Sequence, residues 1–164
     1  MKKNSYKYWF ILFYILFLTG CQNSPLLYNG NQLIDKPTQQ ISNDTIIYAI
    51  DICNGTIIDK ENIILNNNDT IHISGWAMNP DLKKLKKVII HVGDKYISAN
   101  YGFFRNDVQS AVGSSTNEFG YIFSFSKEIL YDSTNARINK IEIMGINKKN
   151  ELLNSKTITI SYQE

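Results

Sequence analysis

The sequence predicts an all-β domain, a two-sheet β-sandwich of about seven or eight short strands with one short helix. Three observations carry this. Segments rich in Ile, Val, Thr, Tyr and Phe recur along residues 44–164, separated by turn residues roughly every 8–12 positions. Phe119, Tyr121, Phe123 and Phe125 alternate with Gly120, Ser124 and Ser126, the period of a strand with one apolar face. The chain shows no amphipathic pattern longer than two helical turns, while Ile, Tyr and Phe are plentiful and Ala and Pro sparse.

Each element has a local reason. Thr45 to Cys53 (TIIYAIDIC) is a β-branched run ended by Asn54-Gly55, a pair suited to the positive φ of a tight hairpin. Asn62 to Leu65 is a short strand stopped by Asn66-Asn67-Asn68-Asp69. Thr70 to Met78 alternates, with Ile71, Ile73 and Gly75 on one face and His72, Ser74 and Trp76 on the other, until Asn79-Pro80-Asp81 ends it. Leu82 to Lys87 is a basic loop or edge. Val88, Ile90 and Val92 then alternate with Ile89 and His91 up to a turn at Gly93-Asp94, and Lys95 to Tyr101 supplies the hairpin partner. Arg105 to Val112 (RNDVQSAV) is the helix candidate, with Asn106 or Asp107 placed to cap it. Arg137 to Gly145 and Lys156 to Tyr162 are the last two strands, joined around Asn147-Lys148-Lys149-Asn150.

Residues 1–20 have the pattern of a signal peptide. Lys2, Lys3 and Lys7 precede an unbroken apolar run from Trp9 to Leu18. At about 1.5 Å per residue that run covers roughly 15 Å as a helix, half a bilayer's hydrocarbon core. This length suits a signal h-region, and the positive flank keeps the N-terminus cytoplasmic. Leu18-Thr19-Gly20-Cys21 resembles the lipobox of bacterial lipoproteins. The resemblance implies a diacylglyceryl thioether on Cys21, cleavage before it and acylation of the new amino group. The membrane is then a partner through lipid on Cys21, on the exported side of the cell envelope. Gln22, where an aspartate would retain such a protein at the inner membrane, implies the outer membrane in a cell that has one. An uncleaved short anchor or an ordinary secretory signal is the alternative. Residues 21–43 follow as the lipidated cysteine and a flexible tether punctuated by Pro25, Gly30 and Pro37. A coil of about 22 residues spans roughly 25 Å.

Three of the 17 basic residues and none of the 15 acidic ones lie in the leader, so residues 21–164 carry 14 against 15, a net charge of −1. The overall pI of 8.4 therefore belongs to the leader, and a nucleic-acid partner has no electrostatic support. With Cys21 lipidated, Cys53 has no partner in the chain. It reads as a buried small hydrophobe, with a bond between two chains as the alternative.

Gly75-Trp76-Ala77, then Arg105-Asn106-Asp107-Val108, then Phe119-Gly120-Tyr121 give the domain a second resemblance: it is similar to Ig-like accessory modules of bacterial surface proteins and sugar-handling enzymes. This implies an Ig-like sandwich without catalysis of its own. Trp76, Tyr101, Phe103 and Phe104 are the candidate ligand-binding residues, since aromatic faces suit the apolar faces of sugar rings. For Trp76 the simpler reading is a core side chain packed between the sheets. Arg105 and Asp107 read as structural, Asp107 capping the helix and Arg105 satisfying carbonyls, with a ligand-binding charge pair as the alternative. Lys83-Lys84-Leu85-Lys86-Lys87 reads as a solvated loop blunting an edge strand, or as a contact for anionic head groups or wall polymers. His72 and His91, with Cys53, Asp69 or Asp94, lack the local spacing of a metal site, and no nucleophile motif or phosphate loop is present. No cofactor is expected. The sequence thus points to a non-enzymatic, lipid-anchored module binding an envelope protein or glycan. Other readings are a structural lipoprotein of a secretion or envelope assembly, and a cell-wall hydrolase or its inhibitor.

Overall fold

A computed structural model describes residues 31–54, 56–57, 62–65, 70–154 and 157–162. The leader, the lipobox, Cys21 and the turn at 66–69 lie outside the described residues. In chain order the described strands are β1 (Gln32–Ile34), β2 (Ile41–Thr45), β3 (Ile47–Cys53), β4 (Thr56–Ile57), β5 (Asn62–Leu65), β6 (Thr70–Met78), β7 (Lys87–Val92), β8 (Lys95–Ser98) and β9 (Asn100–Phe104). The helix α1 (Asn106–Val112) follows, then β10 (Glu118–Ser126), a 3-10 turn at Lys127–Leu130, β11 (Lys140–Ile146), β12 (Leu152–Asn154) and β13 (Thr157–Tyr162).

These strands form two sheets. The larger, of eight strands, has the order β1-β8-β7-β11-β12-β2, with β13 also on β11 and β5 beyond β13. The smaller, of five, has the order β4-β3-β6-β10-β9. Pairing is antiparallel except for β2 on β12 and β5 on β13. The orders β3-β6-β10-β9 and β8-β7-β11-β13 reproduce the A-B-E-D and C′-C-F-G arrangement of immunoglobulin-type sandwiches. The all-β, Ig-like expectation therefore holds.

The core lies between the sheets. Ile71, Ile73 and Ala77 of β6 and Tyr121, Phe123 and Phe125 of β10 meet Val88, Ile90, Val92, Ile141, Ile143 and Ile158 from the larger sheet. Each such side chain contributes about 1.5–3 kcal/mol by leaving water. Cys53 belongs to this core, 1% exposed, as expected of a small hydrophobe. Phe119 departs from the expected row. The pairing of β10 with β9 shifts register around Gly120, and Phe119 packs instead with Met78 and Val108 under α1.

One strand expected as a single run is a pair, and two others are preceded by an unexpected short strand, β2 before β3 and β12 before β13. The chain pairs in the larger sheet up to Thr45 and in the smaller from Ile47, with buried Ile46 at the crossing, its N–H 2.9 Å from the Asn154 carbonyl. Lys95 to Tyr101 divides at Ala99 into β8 and β9 in the same way. The last strand is preceded by a separate β12 on the same neighbour, β11.

Part of the segment expected as a tether over 21–43 is strand. Gln32–Ile34 pairs with β8 at one edge of the larger sheet, and Ile41–Thr45 pairs with β12 at the other. Residues 35–40 thus cross the outer face of that sheet as a strap. Beneath it Ile89, Ile146 and Leu152 form a second small core with Ile34, Tyr96 and Met144. This double cover explains why Val88, Ile89 and Ile90 are all fully buried, where a one-faced strand would alternate.

Candidate functional site

The three segments that carried the resemblance to Ig-like modules come together on the outer face of the smaller sheet. Gly120 of β10 pairs with Trp76 of β6 on one side and with Phe103 of β9 on the other. Directly paired residues point to the same face, so the two aromatic side chains flank a glycine. A Cβ at Gly120 would lie 2.9 Å from Phe103 Cβ and 3.3 Å from Arg105 Cγ. The absent side chain is the floor on which Arg105 runs.

Arg105 leaves the end of β9 and binds two carboxylates. Its Nε donates to Asp107 Oδ1 at 2.9 Å and its Nη2 to Asp107 Oδ2 at 2.6 Å, a bidentate pair. Its Nη1 donates to Asp51 Oδ2 on β3. Since β3 and β9 are separated by β6 and β10, this one side chain reaches across two strands and ties β9 to β3. The guanidinium, joined to Asp107 and then to Asp51, is held well above its ordinary pKa, and the same hydrogen bonds lower Asp107 to about 2. Asp107 does not cap the helix as expected: no side-chain cap bond is present at its start, and the carboxylate is engaged by Arg105. The helix closes on Gly113, whose φ of 68° accommodates the left-handed cap.

Trp76 is not packed between the sheets, which corrects the simpler of its two readings. It shares the outer face with His72 and Ser74 and is half-buried against Met78, Val108 and Phe119. Tyr101, Phe103 and Phe104 do not form one platform. Gly102, at φ 107°, breaks the alternation of β9. Tyr101 turns toward the core, where its hydroxyl donates to the Ala77 carbonyl at 2.9 Å and accepts from Leu85 N–H at 3.2 Å. Burial pushes that hydroxyl up to about 12. Phe103 is half-buried beside Gly120, and Phe104 stands 71% exposed at the end of β9. Phe103 and Trp76 lie half-buried on the outer face, and Phe104, paired with Glu118, is the exposed aromatic of β9.

A second concavity lies on the opposite side of the molecule. An open pocket of about 210 Å³ separates the strap from the larger sheet, lined by Lys36, Gln39, Ile41, Tyr96, Met144 and Leu152 among others. Tyr96 stacks on His91 with ring centroids 4.3 Å apart and planes 4° from parallel, and His91 Nδ1 lies 3.1 Å from Glu142 Oε2. His72, on the smaller sheet, bonds Ser124 Oγ at 2.6 Å. The two histidines are therefore on different sheets, and among the described residues no group of three or more His, Cys, Asp or Glu side chains comes together. Asp69 lies outside the described residues.

Sequence reasoning missed Asp51, although a lone acid in the apolar run TIIYAIDIC is the signal of a buried or paired charge. It also missed the strap pocket, which exists only once the strap is folded back. Comparison of the chain with family models, with curated proteins and with solved structures returns no match.

Proposed function

We propose that this chain is a non-enzymatic envelope lipoprotein, held to the membrane by lipid on Cys21, whose Ig-like sandwich binds a protein or glycan partner. The observation that carries the reading is the lipobox followed so closely by a folded module. Ten residues, 22–31, separate Cys21 from the first residue of β1, and ten residues reach at most about 36 Å fully extended. Two or three acyl chains on one cysteine give lasting attachment where a single chain gives only marginal binding. Among the described residues no helix is long and apolar enough to cross a membrane.

The binding residue we assign is Phe104, 71% exposed at the end of β9. Exposed aromatic side chains of this kind dominate contact energies, because they bury much area at little conformational cost. Two experiments test the reading separately. Cys21→Ser is expected to lose detergent partitioning and change the processing pattern; a variant that still partitions and is processed as before overturns the anchor. Phe104→Ala, a change at an exposed site, is expected to weaken capture on a glycan array or in a pull-down from solubilised envelope by about tenfold or more. Unchanged capture overturns the assignment.

One observation favours a second reading, a structural subunit of an envelope or secretion assembly. The larger sheet already grows by parallel addition of β2 and β5 at its margins, and a partner's strand can extend it in the same way. Such a subunit co-purifies with its complex whatever residue stands at 104.

A further inference from the structure

We infer that one end of the sandwich, carrying Lys83, Lys86, Lys87, Lys148 and Lys149, is a docking face for an anionic lipid surface. The inference rests on the lipid-anchor reading and goes beyond it by giving the anchored domain an orientation.

The lysines come from segments far apart in the chain. Lys87 opens β7 and pairs with Ile146, the last residue of β11. The turn that follows β11 carries Lys148 and Lys149, both exposed, and closes with Asn150 N–H on the Asn147 carbonyl at 3.0 Å. Lys86 joins the two segments: its N–H donates to the Ile146 carbonyl at 2.7 Å and its Nζ to Asn150 Oδ1 at 3.0 Å. Lys83 is exposed on the loop that leads to β7. Among the described residues none of these five lies within ion-pair distance of a carboxylate. Glu118 is paired with Lys84 at 3.0 Å and Asp107 with Arg105, while Glu151 accepts from the Asn147 amide at 2.7 Å and keeps its charge. Asp81 is exposed on the same loop as Lys83. The basic charge of this end therefore faces water.

The direction of the chain points this end at the membrane. β1 runs antiparallel to β8, and β8 antiparallel to β7, so β1 descends alongside β7. Gln32 sits opposite Ser98, which sits opposite Ile89, two residues past Lys87. The chain therefore enters β1 on the side of the domain that carries the lysines, with ten residues between Cys21 and Gln32. One lipid group with a basic patch is a known route to firm membrane attachment, and each lysine near an anionic surface contributes roughly a fivefold gain in local affinity, screened by salt. Phe104 pairs with Glu118, whose carboxylate holds Lys84 at 3.0 Å, so the proposed partner residue borders this end.

The test uses the full acylated chain purified in detergent and reconstituted into vesicles, either zwitterionic or containing a fraction of phosphatidylglycerol. Lysine acetylation is read residue by residue by mass spectrometry, with exposed Lys140, at the start of β11 and so at the opposite end, as the internal reference. On phosphatidylglycerol vesicles at low salt, labelling of Lys86, Lys87, Lys148 and Lys149 relative to Lys140 should fall by about fivefold and recover at high salt. The double variant Lys148→Glu, Lys149→Glu, confined to an exposed turn, should abolish that protection at Lys86 and Lys87. Equal labelling on both kinds of vesicle, or protection insensitive to salt or to the double variant, overturns the docking face. Failure of the anchor is a different result: the wild-type chain then leaves the vesicles altogether in high salt, whereas an anchored chain with no docking face stays bound and labels evenly.

Discussion

Arg105 illustrates how a single residue organises the smaller sheet. Its guanidinium is shared by Asp51 and Asp107, and its stem crosses the backbone at Gly120. Gly120→Ala places a methyl group against Phe103 and Arg105 and is predicted to cost about 1–3 kcal/mol, read as a lower denaturation midpoint at unchanged m. A loss smaller than a few tenths of a kcal/mol would mean that the Arg105 stem does not lie over this glycine. The network also gives the fold an acid sensitivity. Asp107 titrates near 2 when folded, against about 3.9 in an unfolded chain. Its contribution is therefore complete above about pH 4 and disappears as pH falls toward 2. Because the carboxylate is 66% exposed, solvent screening keeps that contribution small. The stability gap between wild type and Asp107→Asn should be present at neutral pH and close in acid; a gap independent of pH contradicts the assignment.

At the scale of elements, the larger sheet is held by strands of unequal standing. β7 and β11 are buried on both faces, while β2 has four of its five residues exposed. Hydrogen exchange should therefore release the amides of β1 and β2 well before those of β7 and β11. Ile34→Ala, which thins the small core under the strap, should cost less than Ile90→Ala, for which about 2–5 kcal/mol is expected. Uniform protection across the sheet would show that strap and sandwich open together. This inequality also explains which elements were legible in the sequence. β6, β7, β10 and α1 announce themselves by period or by terminal residues, because the burial that selects those residues is local to each strand. β1 and β2 are three and five residues long and rely on neighbours some sixty and more than a hundred residues away, so their own composition carries little trace of them. The site divides likewise. Arg105 with Asp107, and the glycine between aromatics, were visible as motifs. The inward turn of Tyr101 depends on Gly102 and a register shift in pairing with β10, and the outward position of Phe119 on the same shift; neither is written in either strand alone.

For the whole molecule, Cys53 is a reporter of global integrity. It is almost fully buried in the principal core, and burial pushes its thiol up to about 11, so the native protein offers an alkylating reagent little access and little thiolate. Alkylation should follow the denaturation curve with no fast native phase; rapid native labelling, or a disulfide-linked dimer on a non-reducing gel, would place the thiol at the surface. The strap has a consequence for the same molecule under load. A pull on the chain ahead of Gln32 acts along β1, so its three pairings with β8 are strained in shear, together, and not opened one by one. When they part, residues 32–40 are freed before the tension reaches β2. That is about 30 Å of extra chain at full extension, paid out like the slack in a mooring line while the two sheets behind it stay closed.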